Sequence, residues 1–260
     1  MSSVEGLLLD IDGVLITSWD PIAGAIEAMA AFRAADVPVC LITNTTTHPR
    51  AELAATLTGV GFDVEPGKIV TAVTATAEYL RRAYPSAAVF VLSDGDARAD
   101  LEAIHLVDDP ADADVIVLGG ACDDFTYATV DRVFGRLMRG DASLVAMHRN
   151  MFWRTSHAFR LDAGAYVAGL EAATGTAAVV CGKPAPAFFQ AALSVLGVDA
   201  NRAAMVGDDV VNDVDGARAA GLTGILVRTG KFRPEDLDRG SPDHVVDSLA
   251  DVPALLGLAG

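Results

Sequence analysis

An apolar segment of strand length near the start of the chain ends in two carboxylates. Residues 7–9 are leucines that run directly into Asp10, and Asp12 and Gly13 follow. A run without polar alternation is typical of a strand buried on both faces of a parallel sheet, and the glycine indicates a turn after it. Open α/β sheets bind ligands at the carboxyl ends of such strands. The segment therefore predicts an α/β protein with a functional site at the end of its first strand.

Asp10 and Asp12 indicate the chemistry of that site. Two carboxylates held close together repel each other, and a cation, or an anionic substrate with its metal, relieves the repulsion. A Mg²⁺ ion with a phosphate group is such a combination. Asp10 would accept a phosphoryl group, while Asp12 would protonate the leaving oxygen and later activate water. Taken alone, the pattern is equally compatible with a turn in which aspartates cap backbone amides.

The net charge restricts the partners of the chain. A formal charge of −16 over 260 residues disfavours nucleic acid and anionic membrane surfaces, because both are bound by clustered Lys and Arg. The N-terminus lacks a basic segment ahead of an apolar stretch, and no uncharged run is long enough to cross a bilayer, so we expect a cytoplasmic protein. Cys40, Cys122 and Cys181 form no C-x-x-C pattern and are expected to be reduced thiols.

Strand and helix patterns alternate along the chain and predict two α/β units. Strands are predicted over residues 4–9, 37–43, 87–92, 115–118, 144–147, 177–180, 203–206 and 223–227. Helices are predicted over residues 22–35, 49–57, 70–82, 126–138, 162–174, from 184 onwards, from about 210 to 221, and over 248–256. The alternation restarts after Tyr84 and Pro85, which indicates a second unit inserted into the first. We expect a core domain of residues 1–78 and 177–260 and an inserted domain of residues 79–176.

Polar residues follow two later segments of this pattern. Thr43 and Asn44 come after the second predicted strand, and they would lie beside Asp10 if the two strands are parallel neighbours. A polar turn into the next helix explains them better when they are considered alone. Lys183 lies directly before Pro184, where we expect a helix to begin, and anions bind favourably at such an N-terminus. A solvated surface lysine is the ordinary alternative.

A second group of carboxylates follows the strand predicted over residues 203–206. Asp208, Asp209 and Asp213 come directly after Gly207 in this region. One acidic strand end can arise by chance. Two at the same edge of a sheet predict a binding site for a cation.

In this order, the four motifs resemble those of the haloacid dehalogenase (HAD) superfamily of Mg²⁺-dependent phosphohydrolases. The motifs are residues 10–14, Thr43, Lys183 and residues 207–213. The α/β unit inserted between the second and third motifs is similar to the C2-type cap of subclass IIA. The resemblance implies a doubly wound, Rossmann-like parallel-sheet core with an inserted α/β C2 cap domain.

The resemblance also implies roles for the residues of the first three motifs. Asp10 would be the nucleophile and a Mg²⁺ ligand. Asp12 would be the general acid and base, with its backbone carbonyl on the metal. Thr43 and Asn44 would bind the phosphoryl oxygens, and Lys183 would offset the negative charge gathered there. Such a site works by positioning and electrostatics, as phosphoryl transfer requires.

The fourth motif would complete the metal site in the same scheme. Asp208 would be a Mg²⁺ ligand, with Asp209 and Asp213 behind it. Mg²⁺ is the cofactor that the resemblance implies, and a small phosphorylated molecule is the implied partner. A homodimer is the alternative to a monomer that we leave open.

The implied function is hydrolysis of a small phosphorylated metabolite through an aspartyl-phosphate intermediate. Hydrolysis of phospholysine, phosphohistidine or inorganic pyrophosphate is one alternative, and phosphotransfer to a second substrate at the same site is another. A metabolite-binding protein without catalysis is a third. The presence of Asp10, Asp12, Lys183 and Asp208 together argues against this last alternative.

One window of the inserted domain is basic although the chain as a whole is acidic. No acid occurs between Asp141 and Asp162. The window contains the basic residues His148, Arg149, Arg154, His157 and Arg160 and the aromatic residues Phe152, Trp153 and Phe159. We expect His148, Arg149 and Trp153 to bind the substrate, because Arg recognises anionic groups and Trp offers a ring face. The alternative is a solvated hairpin whose arginines balance nearby acids.

Overall fold

The computed structural model of the chain describes residues 4–154 and 159–258. Its strands are β1 (Gly6–Asp10), β2 (Ile16–Thr17), β3 (Asp20–Pro21), β4 (Val39–Thr43), β5 (Ile69–Thr71), β6 (Val89–Leu92), β7 (Leu106–Val107), β8 (Val115–Leu118), β9 (Ser143–Ala146), β10 (Phe152–Arg154), β11 (Phe159–Leu161), β12 (Val179–Val180), β13 (Ala203–Gly207), β14 (Thr223–Val227) and β15 (His244–Val246). Its α-helices are α1 (Ala25–Ala34), α2 (Arg50–Gly59), α3 (Ala72–Ala83), α4 (Tyr127–Leu137), α5 (Ala163–Thr174), α6 (Pro186–Leu196), α7 (Gly216–Ala219) and α8 (Val252–Leu255). None of the helices in these ranges combines the length and apolar character needed to span a bilayer.

The chain divides into two compact units. The core unit comprises residues 1–43, 50–70 and 183–260, and the cap unit comprises residues 44–49 and 71–182. The sequence predicts the limits of the inserted domain at residues 79 and 176 instead. The first of these limits falls inside α3, whose apolar face packs within the cap unit. Because a helix is one rigid element, it joins the unit on which it buries its apolar side chains.

A six-stranded sheet with the order β15-β14-β13-β1-β4-β5 forms the centre of the core unit. β1 pairs in parallel with β13 on one side and with β4 on the other. All five residues of β1 are buried, as the apolar run predicts for a central strand. The main apolar cluster of the core unit includes Leu7, Leu9, Phe32, Leu41, Phe62 and Ile225. The predicted doubly wound α/β fold is confirmed.

The cap unit is built on a second parallel sheet, with the order β12-β9-β8-β6-β7. The strand register pairs β8 with β6 and with β9, both in parallel. Alternate residues of β8 face different apolar clusters, with Ile116 in one and Val117 in the other. β10 and β11 form a separate antiparallel ribbon in which Trp153 pairs with Arg160.

Several predicted elements differ from the structure. The helix predicted directly after Pro21 starts only at Ala25, because Pro21 lies in β3, which pairs with β2 in a hairpin. The helix expected at Pro184 begins at Pro186. The segment expected to be helical from residue 70 begins with β5, and Thr71 then caps α3 by accepting a hydrogen bond from the amide of Thr74. In the first two cases the local pattern is ambiguous, because proline also occurs in turns and at strand edges.

β15 is a strand that the sequence pattern does not predict. It has three residues, and it pairs in parallel with β14 at the edge of the core sheet. Three residues are too few to establish a periodicity. Its pairing with β14 depends on a neighbour that lies about twenty residues away in the chain, which a local pattern cannot reveal.

Candidate active site

The carboxyl ends of β1, β4 and β13 bring three motifs to one edge of the core sheet. Asp10 is the last residue of β1, and the register pairs it with Ile42, one residue before Thr43. On the other side, Leu9 pairs with Val206, and residues 207–208 follow beside Asp10. Parallel neighbours therefore collect the predicted polar residues at the same end of the sheet, as expected for an α/β fold.

Lys183 lies at the centre of this edge and contacts two carboxylates. Its Nζ is 2.8 Å from Oδ1 of Asp10 and 2.7 Å from Oδ1 of Asp213. All three side chains are buried. Burial alone would lower the pKa of Lys183, but the charges of Asp10 and Asp213 more than offset this effect, and the pKa is raised. Lys183 is therefore a fixed positive charge in this site at any physiological pH.

Asp10, Asp208 and Asp213 form a cluster of carboxylates. Each offers an oxygen, and these oxygens all lie within 4.8 Å of one another. Burial, followed by the charge of Asp10, raises the pKa of Asp208 to about 7. Burial likewise raises the pKa of Asp213, to about 6, although Lys183 opposes that shift. The cluster therefore holds more negative charge than Lys183 neutralises, and another cation would be stabilised there.

The cluster fits a hard divalent cation such as Mg²⁺. Oδ1 of Asp208 is buried and, among the described residues, has no hydrogen-bond partner. A buried carboxylate oxygen without a partner is costly, and coordination of a metal removes that cost. Oxygen ligands from Asp10 and Asp208 are those that Mg²⁺ prefers. Asp213 is a member of the cluster and binds Lys183. Its predicted position behind the metal stays a prediction.

The loop after β14 closes over Asp208, and the sequence motifs predict no role for it in the site. The backbone N–H of Lys231 donates a hydrogen bond of 2.7 Å to Oδ2 of Asp208. The hydroxyl of Thr229 donates to the backbone carbonyl of Gly13. A Cβ atom on Gly230 would overlap Oδ2 of Asp208 and lie 2.6 Å from Cα of Gly13. Gly13 and Gly230 both approach Oδ2 of Asp208, and the absence of a side chain at these two positions permits the close contact.

Asp209 and Asp213 owe their positions to the irregular turn after β13. Residues Val210–Asp215 form a π-helical segment, and Asp209 caps it by accepting hydrogen bonds from the amides of Val211 and Asn212. Hydrogen bonds from Asn212 lower the pKa of Asp209 in spite of its partial burial. A Cβ atom on Gly207 would overlap the side chain of Asp213, so a glycine is required there. π-Helical segments of this kind occur frequently at functional sites.

Asp12 and Asn44 are two predicted site residues that are not members of the cluster. The side chain of Asp12 is exposed, two residues beyond the end of β1, where the chain turns into the β2–β3 hairpin. Its predicted role as a metal ligand concerns the backbone carbonyl and stays a prediction. Asn44 directly follows Thr43 in the chain but belongs to the cap unit. Its predicted contact with a phosphoryl group also stays a prediction.

The three predicted substrate residues of the cap unit differ in their surroundings. His148 is buried, and burial lowers its pKa, although Asp162 and Asp94 oppose the shift. The guanidinium of Arg149 donates to the carboxylate of Glu171, which also accepts from the backbone N–H of Ala178. Trp153 lies in β10. Residues 155–158, which include the predicted basic residue at position 157, lie outside the described part of the chain. Substrate binding by this window stays a prediction.

Two family models match the two ends of the chain, and a known protein is similar over almost its full length. The family model for haloacid dehalogenase-like hydrolases matches residues 7–107, and a HAD-hydrolase-like model matches residues 180–252. A phospholysine phosphohistidine inorganic pyrophosphate phosphatase from Rattus norvegicus is 35% identical over 263 residues, which cover 98% of this chain and 95% of the rat protein.

Two solved structures share the fold over almost the full length. A p-nitrophenyl phosphatase from Archaeoglobus fulgidus superposes with a TM-score of 0.90 at 28% identity, covering 97% of this chain and 99% of that one. NagD from E. coli K-12 gives a TM-score of 0.86 at 25% identity, covering 96% and 98%. The resemblance predicted from the four motifs is confirmed. This chain belongs to the haloacid dehalogenase-like hydrolases, in subclass IIA, and is a phosphatase.

Proposed function

We propose that this phosphatase requires Mg²⁺ and hydrolyses a small phosphorylated metabolite through an aspartyl-phosphate formed on Asp10. The observation that carries the proposal is the contact between Lys183 and Oδ1 of Asp10 beside the unpaired oxygen of Asp208. Lys183 orients the nucleophile and offsets its charge, while Asp208 keeps an oxygen available for a metal. If Lys183 were buried for stability alone, the additional carboxylate of Asp208 would be a buried charge that no cation neutralises. A metal ion bound there gives that carboxylate a function.

Each residue of the motifs has a defined part in the two steps that we propose. Since Lys183 binds Oδ1 of Asp10, we assign Oδ2 as the oxygen that attacks phosphorus. The bond from phosphorus to the leaving oxygen breaks, and Asp12 donates a proton to that oxygen. Asp12 then removes a proton from water, which attacks phosphorus and breaks the bond to Asp10. Thr43 and Asn44 bind the phosphoryl oxygens during both steps.

Asp10, Asp208 and the backbone carbonyl of Asp12 are the groups that we propose as Mg²⁺ ligands. When bound, the metal supplies positive charge close to the phosphoryl oxygens. Lys183 supplies further positive charge at Asp10, where its pairing with Asp213 holds it. Asp209 supports the site indirectly by capping the segment that carries Asp213.

The deciding experiment measures release of inorganic phosphate without any acceptor from a broad panel of phosphate esters, phosphoramidates and pyrophosphate. We expect Mg²⁺-dependent turnover that EDTA abolishes, and a loss on the order of 10³-fold or more in Asp10→Asn. The amide has the shape of the carboxylate but cannot attack phosphorus, so the variant should still fold. Wild-type turnover by Asp10→Asn, or turnover indifferent to EDTA, would refute the proposal.

Phospholysine, phosphohistidine and pyrophosphate form a second group of candidate substrates, which the 35% identical rat relative favours by its name. They belong on the same panel, and a preference for them over carbon-linked phosphate esters would select this group. Phosphotransfer is the other alternative. It requires that phosphate appears on an added acceptor rather than in solution.

A cytoplasmic location completes the proposal, and a homodimer stays an open alternative to a monomer. Cys40, Cys122 and Cys181 are free thiols in the structure, which supports a reducing compartment. Cell fractionation tests the location. Light scattering on the purified chain distinguishes a homodimer from a monomer.

A further inference from the structure

Residues 44–49 form a short segment, which we call the strap, between β4 and α2. Both of these elements belong to the core unit, whereas the strap belongs to the cap unit. The strap begins with Asn44, directly after Thr43. The contacts that attach the strap within the cap unit therefore act on the residue next to a proposed phosphate-binding threonine.

The strand order of the cap sheet reverses at β6, so the crevice typical of such a reversal is expected at the carboxyl ends of β6 and β8. The chain passes from β6 to β7 at one edge and then returns to β8 on the other side of β6. Loops that leave neighbouring strands in opposite directions open a crevice, and α/β sheets bind ligands in such crevices. In the cap unit, the loops are residues 93–95 and 119–121. Thr46 and Thr47 of the strap fill this position.

Asp94 holds both threonines of the strap. The hydroxyl of Thr46 donates a hydrogen bond of 2.6 Å to Oδ1 of Asp94, and the hydroxyl of Thr47 donates one of 2.8 Å to Oδ2. The backbone N–H of Gly120 donates to the hydroxyl of Thr46, and its carbonyl accepts from the N–H of Asp94 at 2.8 Å. Thr46 is buried, so its hydroxyl depends on these partners. Hydrogen bonds to a carboxylate are stronger than those between neutral groups.

Two glycines allow the strap to approach this closely. A Cβ atom on Gly120 would overlap Asp94 and lie 2.5 Å from the hydroxyl of Thr46. Gly95 has a φ of +62°, and a Cβ atom there would lie 2.5 Å from Cα of Thr47. The loops at the crevice are therefore shaped to receive the strap and leave no room for larger side chains.

Asn44 lies near the carboxyl end of β12, at the same edge of the cap sheet. A Cβ atom on Gly182 would lie 2.7 Å from Oδ1 of Asn44. Gly182 is the residue directly before Lys183. The neighbours in sequence of Thr43 and Lys183 are therefore packed together within the cap unit, and the strap sets the position of one of them.

We propose that Asp94 is a positioning residue for phosphoryl transfer, which acts by fixing the strap and thereby the orientation of Asn44 and of the adjoining Thr43. The inference rests on the proposed function, in which these two residues bind the phosphoryl oxygens. Nothing in this role requires Asp94 to contact the substrate. Loss of orientation lowers the rate of the chemical step more than it weakens binding of the ground state.

The test compares Asp94→Ala, Thr46→Val and the double variant with the wild type, using p-nitrophenyl phosphate and Mg²⁺. We expect kcat to fall about 10- to 100-fold in each single variant, with KM changed by less than about threefold. The double variant should be no worse than Asp94→Ala, because both changes break the same contact. Multiplying losses, or an unchanged kcat in Asp94→Ala, would overturn the proposal.

Asp114→Ala is the matched control, because Asp114 also accepts a backbone hydrogen bond in the cap unit, from Ala88, but does not contact the strap. It should retain the wild-type kcat. Hydrogen exchange gives a readout that does not depend on activity: amides of residues 44–49 should exchange at least about tenfold faster in Asp94→Ala than in Asp114→Ala. Equal exchange rates of these amides in the two variants would show that Asp94 does not fix the strap. An inactive wild type with the expected exchange pattern overturns the proposed function alone.

Discussion

Nζ of Lys183 lies 2.7 Å from Oδ1 of Asp213, and both side chains are buried in the core unit. Lys183 enters from the segment before α6, and Asp213 from the π-helical segment after β13. Their pairing ties two motifs together before any ligand binds. It also keeps the ammonium in contact with Asp10, since a single lysine bridges the two carboxylates.

Lys183→Met should damage both stability and activity. The variant leaves Asp10 and Asp213 buried without their cation, which should reduce the free energy of unfolding by about 3–5 kcal/mol. We expect kcat/KM to fall on the order of 10²- to 10³-fold. Urea unfolding without Mg²⁺ and steady-state kinetics measure the two effects. Lys68→Met, which removes an exposed lysine of the same unit, should change the unfolding free energy by less than about 0.5 kcal/mol.

Adding Asp213→Asn to Lys183→Met separates the two effects. The amide removes one of the unpaired charges, so part of the lost unfolding free energy should return while activity stays low. Recovery of activity together with stability would contradict a direct role for Lys183 in the reaction.

Asp12→Ala should affect poor leaving groups most. p-Nitrophenolate leaves without a proton, whereas an alkoxide requires one, so general acid catalysis matters more for alkyl phosphates. We expect phosphoenzyme formation to slow by about 10²- to 10⁴-fold with an alkyl phosphate and by less than about tenfold with p-nitrophenyl phosphate. Rapid-quench measurements of the first turnover test this. Asp20→Ala, in the neighbouring hairpin, is the control and should behave as the wild type. Equal losses on the two substrates would assign Asp12 another role.

Binding of Mg²⁺ should weaken as the pH falls through 7. The folded-state pKa of Asp208, about 7, lies above its ordinary value of 3.8, so the folded protein retains this proton as the pH rises from about 4 to about 7. In the absence of metal, Asp208 therefore lowers stability progressively over that range. Mg²⁺ binds the ionised form, and its apparent affinity should be about tenfold lower at pH 6 than at pH 8, equivalent to about 1.4 kcal/mol.

Calorimetric titration with Mg²⁺ at several pH values measures this dependence. Thermal unfolding with and without the metal gives an independent measure, because a ligand of the folded state raises Tm. Asp208→Asn should lose the response at every pH. A wild-type affinity that is constant between pH 6 and 8 would contradict the raised pKa.

Gly230→Ala should disturb the metal site without touching a reactive group. The new Cβ atom overlaps Asp208 and must displace either that carboxylate or the backbone at Gly13. Gly197→Ala is the matched control, because Gly197 also has a positive φ, +78°, but a Cβ atom there would meet no atom of the described residues within 4 Å. Both variants should lose about 1 kcal/mol of unfolding free energy from backbone strain. Only Gly230→Ala should weaken Mg²⁺ binding, on the order of tenfold or more.

Arg149→Ala tests the predicted substrate role of the cap unit. If Arg149 binds the leaving group, its loss should reduce kcat/KM for the best substrate of the panel about 10- to 100-fold. The kcat/KM for p-nitrophenyl phosphate should stay nearly unchanged. Glu171→Gln is informative beside it, since Glu171 is the acid that Arg149 contacts. Equal effects on both substrates would mean that Arg149 and Glu171 form only a surface ion pair.

The positions of Asp10, Thr43 and Asp208 could be predicted because each follows an apolar strand, and parallel strands align their carboxyl ends. The sequence could not predict the partner of Asp208 in the loop at Lys231, since that contact depends on how a long loop returns to the sheet. The contact of Asp213 with Lys183 could not be predicted for a similar reason: its position depends on a π-helical segment, which no simple periodicity reveals. Short strands such as β15 cannot be predicted from the sequence, because three residues carry no periodic pattern.

The four crossings between the core unit and the cap unit, after residues 43, 49, 70 and 182, limit how the chain can be recombined. A graft of residues 71–182 onto the core of another phosphatase would carry Asp94 and Gly120 but leave Thr46 and Thr47 behind. The transplanted unit would then present an acidic, unfilled crevice to whatever segment its new host supplies. A transplanted cap unit should therefore confer its substrate preference on another member of this subclass only when residues 44–49 are transferred together with residues 71–182.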